Sequence, residues 1–199
     1  TIWDETGRDL VSAVNYLKEY ENVKSEDIVL LGHSQGAMMI PKICDSVQVG
    51  AAIMIAGNAR PLHELIYEQM KFLMGKDGLD DSEKRRLKMQ EEQIENLEKL
   101  KETHPDSVDF VLPYGLTAYY WKDLLEYDQS ETLESINVPV FLIQGKGDYQ
   151  VSMKDYRMFK RSLKKSDTSW KALVYKNINH MLFENKGEPS KEEYERAEN

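Results

Sequence analysis

The pentapeptide Gly32-His33-Ser34-Gln35-Gly36 constrains this chain more than any other stretch, because Ile28-Val29-Leu30-Leu31 precedes it and Ala37-Met38-Met39-Ile40 follows. An apolar strand there runs into a tight turn, and the turn runs into a helix. A serine at such a junction takes a strained backbone conformation, with its hydroxyl standing clear of the sheet. Glycines two before and two after it leave room for that backbone and for close packing of helix on strand. The G-x-S-x-G letters alone are weak, so the strand before and the helix after carry the weight. The context predicts a nucleophile elbow at Ser34. A Gly-Ser turn that merely joins two elements is the plainer alternative.

The rest of the chain alternates in the same way. Leu10, Val11, Val14 and Leu17 recur at helical spacing, which predicts an amphipathic helix over 4 to 20. A strand is expected at 28 to 32 and a helix at 35 to 47, with Pro41 bending it or sitting near its first turns. Residues 51 to 56 read as a short strand buried on both faces, ending in the loop Gly57 to Pro61. From about 62 to 135 the character becomes helical. Residues 81 to 103 are dense in Glu, Lys and Arg over a thin stripe of Leu87, Ile94, Leu97 and Leu100, which reads as a solvated helix. A third helix is expected near 117 to 127. The sheet pattern then resumes with a strand at 138 to 144, a helix at 152 to 164 and a strand at 170 to 176, before a polar tail after Lys186 that should fray. Strands alternating with helices imply a parallel sheet, and in such sheets active sites gather at the carboxyl ends of strands.

Ser34 lies at one such end. A serine hydroxyl is a poor nucleophile until a base takes its proton, and imidazole is the suitable base near neutral pH. Of the four histidines, His33 is inside the elbow with its side chain expected to point away from that of Ser34, and His63 and His104 lie in the helical stretch. His180 follows the last strand, in Asn177-Ile178-Asn179-His180-Met181, and is the one placed at a strand's carboxyl end. Asp148 leaves the preceding strand in Gly145-Lys146-Gly147-Asp148-Tyr149-Gln150-Val151. A carboxylate there would hold the imidazole in one tautomer and support its charge. Taken singly, His180 reads equally as an incidental loop histidine and Asp148 as a turn or helix-capping aspartate. Together they give the order Ser34, Asp148, His180, and Asn58 at the end of the intervening strand offers no competing carboxylate.

On these motifs the chain resembles the α/β-hydrolase superfamily, most closely its serine aminopeptidase and acyl-esterase-like branch, over residues 1 to about 185. The resemblance implies an α/β fold with a parallel sheet equivalent to strands five to eight. It implies that Ser34 is acylated, that His180 acts as base and then acid, and that Asp148 orients His180. The core would comprise 1–60 and 136–199, with 61–135 inserted between the sixth and seventh strands as a helical cap. One oxyanion donor would be the Gln35 N–H. The second would come from a loop after the third strand, often in an H-G-G run, and this chain has no such run. Strands one to four and the final helix have no counterpart here. The apolar elbow strand would then be an exposed edge, an aggregation hazard. The expectation is the carboxyl-terminal part of a longer hydrolase, with an amino-terminal segment or a second copy in a homodimer covering that edge.

The reading is therefore a serine hydrolase acting on small to medium carboxylic esters through an acyl-enzyme. Peptidase or amidase chemistry with the same residues is one alternative. A catalytically incomplete fragment serving as a binding or assembly piece is the other. Tyr114, Tyr120 and Trp121 are candidates for an acyl pocket, or else pack the cap. Gly75, Asp77, Gly78 and Asp80 look hinge-like, and Arg60 and His63 could meet an anionic substrate group, although a surface salt bridge is the plainer role for Arg60. A net charge of -9 argues against nucleic acid as a partner. No apolar run reaches the roughly 18 residues of a membrane span, and the first residues lack a signal-peptide pattern. The single cysteine, Cys44, leaves no internal disulfide, reads as a buried inert thiol and fits a reducing compartment such as the cytoplasm. No metal or cofactor is implied by this chemistry.

Overall fold

The computed structural model describes residues 1–74 and 79–184. The expected hinge positions Gly75, Asp77 and Gly78, and the polar tail after Lys186, lie outside the described residues. Asp80, the remaining hinge candidate, is the cap of a helix, where its carboxylate and that of Glu83 form a reciprocal capping box. The chain divides into two compact units, Asp4–Arg60 with Asp128–Asn199, and Thr1–Trp3 with Pro61–Tyr127.

The first unit is built on four parallel strands in the order β1 (Val29–His33), β2 (Ala51–Ile55), β3 (Val140–Gly145) and β4 (Trp170–Tyr175). Parallel neighbours need a crossover, and α2 (Gln35–Ser46) and α7 (Met153–Leu163) provide those after β1 and β3. Helix α2 packs on β1 and β2 and α7 on β3, while α6 (Gln129–Ser135) lies against both helices. Met38, Met39 and Ile43 of α2, Met54, Leu142, Leu133 and Phe159 are all buried in this layer. Pro41 falls within α2, which runs on to Ser46. Helix α1 (Arg8–Glu19) starts later than expected, after a π-helical turn at Trp3–Gly7, and of its apolar stripe Val14 is buried while Leu10 and Leu17 are exposed.

The helices cover one face of the sheet. On the other face Val29 and Leu31 of β1 are 52% and 63% exposed, and Leu173 and Tyr175 of β4 are exposed as well. Strand β2 was expected to be buried on both faces. It alternates instead, with Ala52 and Met54 buried and Ala51 and Ile53 only half-buried, because among the described residues no helix packs on its second face. Strand β1 pairs with β2 along one side and is an edge on its other side, among the described residues.

The second unit contains α3 (Leu62–Met74), α4 (Asp81–Glu102) and α5 (Ala118–Glu126). Leu87, Leu97 and Leu100 of α4 are buried and its charged positions face water, as the pattern predicts. Helix α6 was not expected. Its signal is Asp128, whose carboxylate accepts from the Ser130 and Glu131 amides and caps the helix.

Candidate active site

Ser34 is the residue between β1 and α2, and its backbone sits at φ 56°, ψ −122°. A non-glycine residue there stores roughly 1–3 kcal/mol of strain and needs its surroundings to hold it. The Ser34 amide donates to the Ile55 carbonyl of β2 at 2.9 Å, and its own carbonyl accepts from the Met38 amide at 3.1 Å. Gly32 makes the turn possible, because a Cβ there would stand 2.5 Å from the Gly36 carbonyl oxygen. The two glycines are not equivalent, however, since a Cβ at Gly36 would meet nothing within 4 Å. A serine at a helix N-cap ordinarily accepts a bond from the first-turn amides. Ser34 makes no such bond, and its Oγ lies 3.0 Å from Nε2 of His180 instead.

His180 is carried by a small turn beyond β4. Ile178 pairs with Glu184 in an antiparallel bridge, and the Asn179 side-chain oxygen accepts from the Phe183 amide at 3.0 Å. The His180 ring is buried, with Nδ1 2.8 Å from Oδ2 of Asp148. A carboxylate only accepts, so Nδ1 carries the proton, and in the neutral ring Nε2 is left as the acceptor facing the serine hydroxyl.

Asp148 is buried but fully partnered. Its Oδ1 accepts from the Gln150 and Val151 amides, each at 2.9 Å, and its Oδ2 accepts from Gln144 Nε2 at 3.1 Å as well as from His180. Through Oδ1 Asp148 thus also closes a turn, its plainer role, while the capping of α7 falls to Ser152, whose Oγ accepts from the Lys154 amide. Close approach of the two loops depends on Gly145, where a Cβ would stand 2.1 Å from the Ile178 carbonyl oxygen. That same carbonyl accepts from the Gly147 amide at 3.0 Å. Gln35 opens α2, where first-turn amides have no intrahelical acceptor and the helix dipole is positive.

A profile of the BAAT / acyl-CoA thioester hydrolase C-terminal family matches residues 11–184. The chain belongs to this family. It is 34% identical over 194 residues to esterase EstD of Thermotoga maritima, a match covering 98% of this chain and 44% of EstD. The chain thus spans less than half the length of the curated relative it matches. Among solved structures it resembles an esterase of Pyrococcus furiosus (TM-score 0.55, 16% identity, 84% of this chain and 51% of that one). It also resembles Est1E of Butyrivibrio proteoclasticus (0.53, 17%, 87% and 60%). A third likeness is the acylaminoacyl peptidase of Pyrococcus horikoshii (0.54, 15%, 88% and 24%). The parallel sheet and flanking helices are accordingly part of an α/β-hydrolase fold.

In this family member two residues that sequence reading gave no role at the site, Gln144 and His33, stand against Asp148 and His180. Gln144, in a strand that reads as apolar, is buried and places Nε2 within hydrogen-bond distance of Asp148 and of the Val151 carbonyl. His33 reaches the site as well, since its Nε2 donates to the His180 carbonyl at 2.8 Å. Arg60 makes a buried salt bridge, not a surface one. Its Nη2 lies 2.8 Å from Oδ2 of Asp155, a carboxylate with no exposure that also accepts from the Ala59 and Arg60 amides. The remaining candidates belong to the helical unit. Trp121 is fully buried there and donates through Nε1 to the Pro113 carbonyl at 3.1 Å, which makes it core of that unit. Tyr114 adopts φ 59° and its hydroxyl donates to the His63 carbonyl, and Tyr120 lies in the first turn of α5. Burial lowers the pKa of His63, favouring its neutral form, which does not suit a receptor for anions.

Proposed function

We propose that this chain carries the reacting groups of a serine hydrolase that cleaves carboxylic esters or thioesters through an acyl-enzyme. The observation that supports it most is the linked pair of hydrogen bonds, Ser34 Oγ to His180 Nε2 at 3.0 Å and His180 Nδ1 to Asp148 Oδ2 at 2.8 Å, made by a serine that declines its helix-capping role. Membership of a family described by acyl-CoA thioester hydrolysis, and similarity to an esterase, support acyl transfer to water as the reaction.

In the first half-reaction the Ser34 proton passes to His180 Nε2 while Oγ bonds to the acyl carbon, and the carbonyl electrons move onto oxygen. The Gln35 amide, at the positive end of α2, donates to that oxygen. The imidazolium is stabilised by Asp148, which stays ionised and keeps the ring in register. The carbon–oxygen or carbon–sulfur bond then breaks, and Nε2 returns its proton to the departing alcohol or thiol. Water repeats the sequence on the acyl-Ser34 ester, giving its proton to Nε2 and releasing the acid as Oγ recovers its hydrogen.

Labelling with a fluorophosphonate probe tests the assignment. Wild type should become covalently modified and Ser34→Ala should not. Absence of labelling, or labelling that survives Ser34→Ala, would overturn the reading. Comparing p-nitrophenyl esters, acyl-CoA thioesters and aminoacyl anilides by kcat/KM would then order the leaving groups, with the anilides expected to be slowest.

A further inference from the structure

The residue before Ser34 is brought to the site from the face of the sheet that α2 does not cover. Along β1, Leu30 and Gly32 are buried, whereas Val29 and Leu31 lie on the exposed face. His33 continues that second row, in register with Ile55 and, across β2, with Ile143 and Leu173. An apolar side chain would suit its neighbours. The imidazole instead reaches the loop beyond β4, with Nε2 2.8 Å from the His180 carbonyl oxygen and its ring centroid 4.7 Å from that of His180. A carbonyl can only accept, so His33 holds its proton on Nε2.

The loop has need of an anchor at that point. Met181, Leu182 and Phe183 beside His180 are each nearly half exposed, and Leu182 sits at φ 65°. The backbone bonds nearby hold Ile178, through the Gly147 amide, and Asn179, through Leu182 and Phe183, but among the described residues none is made by His180 itself. Both ring nitrogens of His180 are engaged, but each bond keeps its length only if the backbone carrying the ring stays in place. His33 donates to that backbone from the residue covalently joined to Ser34. The base's main chain is thereby tied to the nucleophile's own turn, across 147 residues of sequence.

We propose that His33 is a positioning residue for His180, acting through this donated hydrogen bond. The proposal rests on the reading of Ser34 as nucleophile and His180 as base. Without the donor the protein folds, but the distance from Nε2 to Oγ is no longer held. A misplacement on the order of 1 Å costs roughly 10²-fold in rate, and it should fall on kcat rather than KM.

The test uses the full-length polypeptide, with kcat and KM measured on a p-nitrophenyl ester beside thermal melting. His33→Phe keeps the ring and loses the donor, so kcat should fall about 10- to 100-fold with KM within about 2-fold of wild type. His33→Gln places an amide N–H near the former Nε2 position and should recover most of that loss. His33→Asn, whose amide is too short, should not. Ser34→Ala serves as the reference for the underlying reading, which fails if wild type has no turnover or if this variant keeps it. If Ser34→Ala is inactive and His33→Phe turns over like wild type, the positioning role alone is overturned. Equal losses in the Gln and Phe variants would also overturn it, because the donor would then not matter. Should His33→Phe fail to fold, the Gln and Asn pair decides, the proposal requiring the former to be the faster enzyme.

Discussion

Gly145→Ala should damage turnover more than stability. Gly145 ends β3, and the added methyl carbon would stand 2.1 Å from the carbonyl oxygen of Ile178 and 2.8 Å from its carbonyl carbon. Backbone cannot yield as a flexible side-chain tip can, and a tolerable contact needs more than 3.0 Å. The loop beyond β4 must therefore withdraw by about 1 Å, or β3 must bend by as much. Either movement stretches the bond from the Gly147 amide to the Ile178 carbonyl, now 3.0 Å, and carries away His180 two residues further on. The bonds of 3.0 Å to Ser34 and 2.8 Å to Asp148 cannot both survive. Turnover should drop about 10²-fold. Overpacking of this size costs about 1–3 kcal/mol, which lowers Tm by several degrees but leaves a folded protein. The assay is kcat on an ester beside a thermal melt. Gly36→Ala is the control for stability, because its Cβ meets nothing within 4 Å and it lies in the first turn of α2, so its melt should be unchanged or slightly higher. A Gly145→Ala protein that melts a few degrees low yet turns over within about 2-fold of wild type would refute the claim that this loop contact sets the position of His180.

Asp148→Asn should lower kcat by about 10³–10⁴-fold, since an amide can donate to Nδ1 and leave the proton on the wrong nitrogen, and steady-state kinetics on any competent ester would show it. Asp155→Ala should cost about 3–5 kcal/mol by leaving Arg60 and two amides without their buried acceptor, a loss of roughly 10 °C or more in Tm readable by calorimetry. Cys44, whose pKa burial raises to about 12, stays a thiol at pH 8, so iodoacetamide should modify it far more slowly in the native state than after unfolding in urea.

The elbow, the His180 loop and the Asp148 loop were legible because each is announced by local chemistry. Ser34 needs a strand, a turn and a helix in succession, and Asp148 and His180 each follow an apolar run that ends in turn-forming residues. The helices of the sheet unit were legible for the same reason, apart from α6, whose seven residues are too short to show a period. Gln144 was hidden because its strand reads as an apolar run whichever way its amide points. Arg60 and Asp155 were hidden because they are 95 positions apart, and mixed charges elsewhere in the chain make any pairing plausible. The half-exposed second face of β2 was not legible either, since burial depends on what packs against a strand and not on its own letters.

What the sequence by itself determined is the set of turns and strand ends that present a hydroxyl, an imidazole and a carboxylate, because backbone strain, chain reversal and hydrophobic period are all properties of a few adjacent residues. What only the tertiary structure decided is the register of β1 to β4, and through it which atoms touch. Parallel pairing in the order β1 to β4 brings the carboxyl ends of β1, β3 and β4 to one rim of the sheet, with β2 between the first two, so that contacts 32, 146 and 147 residues apart close within 3.0 Å. Hydrogen bonding falls away over a fraction of an ångström, and no local pattern can specify a distance between segments that meet only after the sheet has formed.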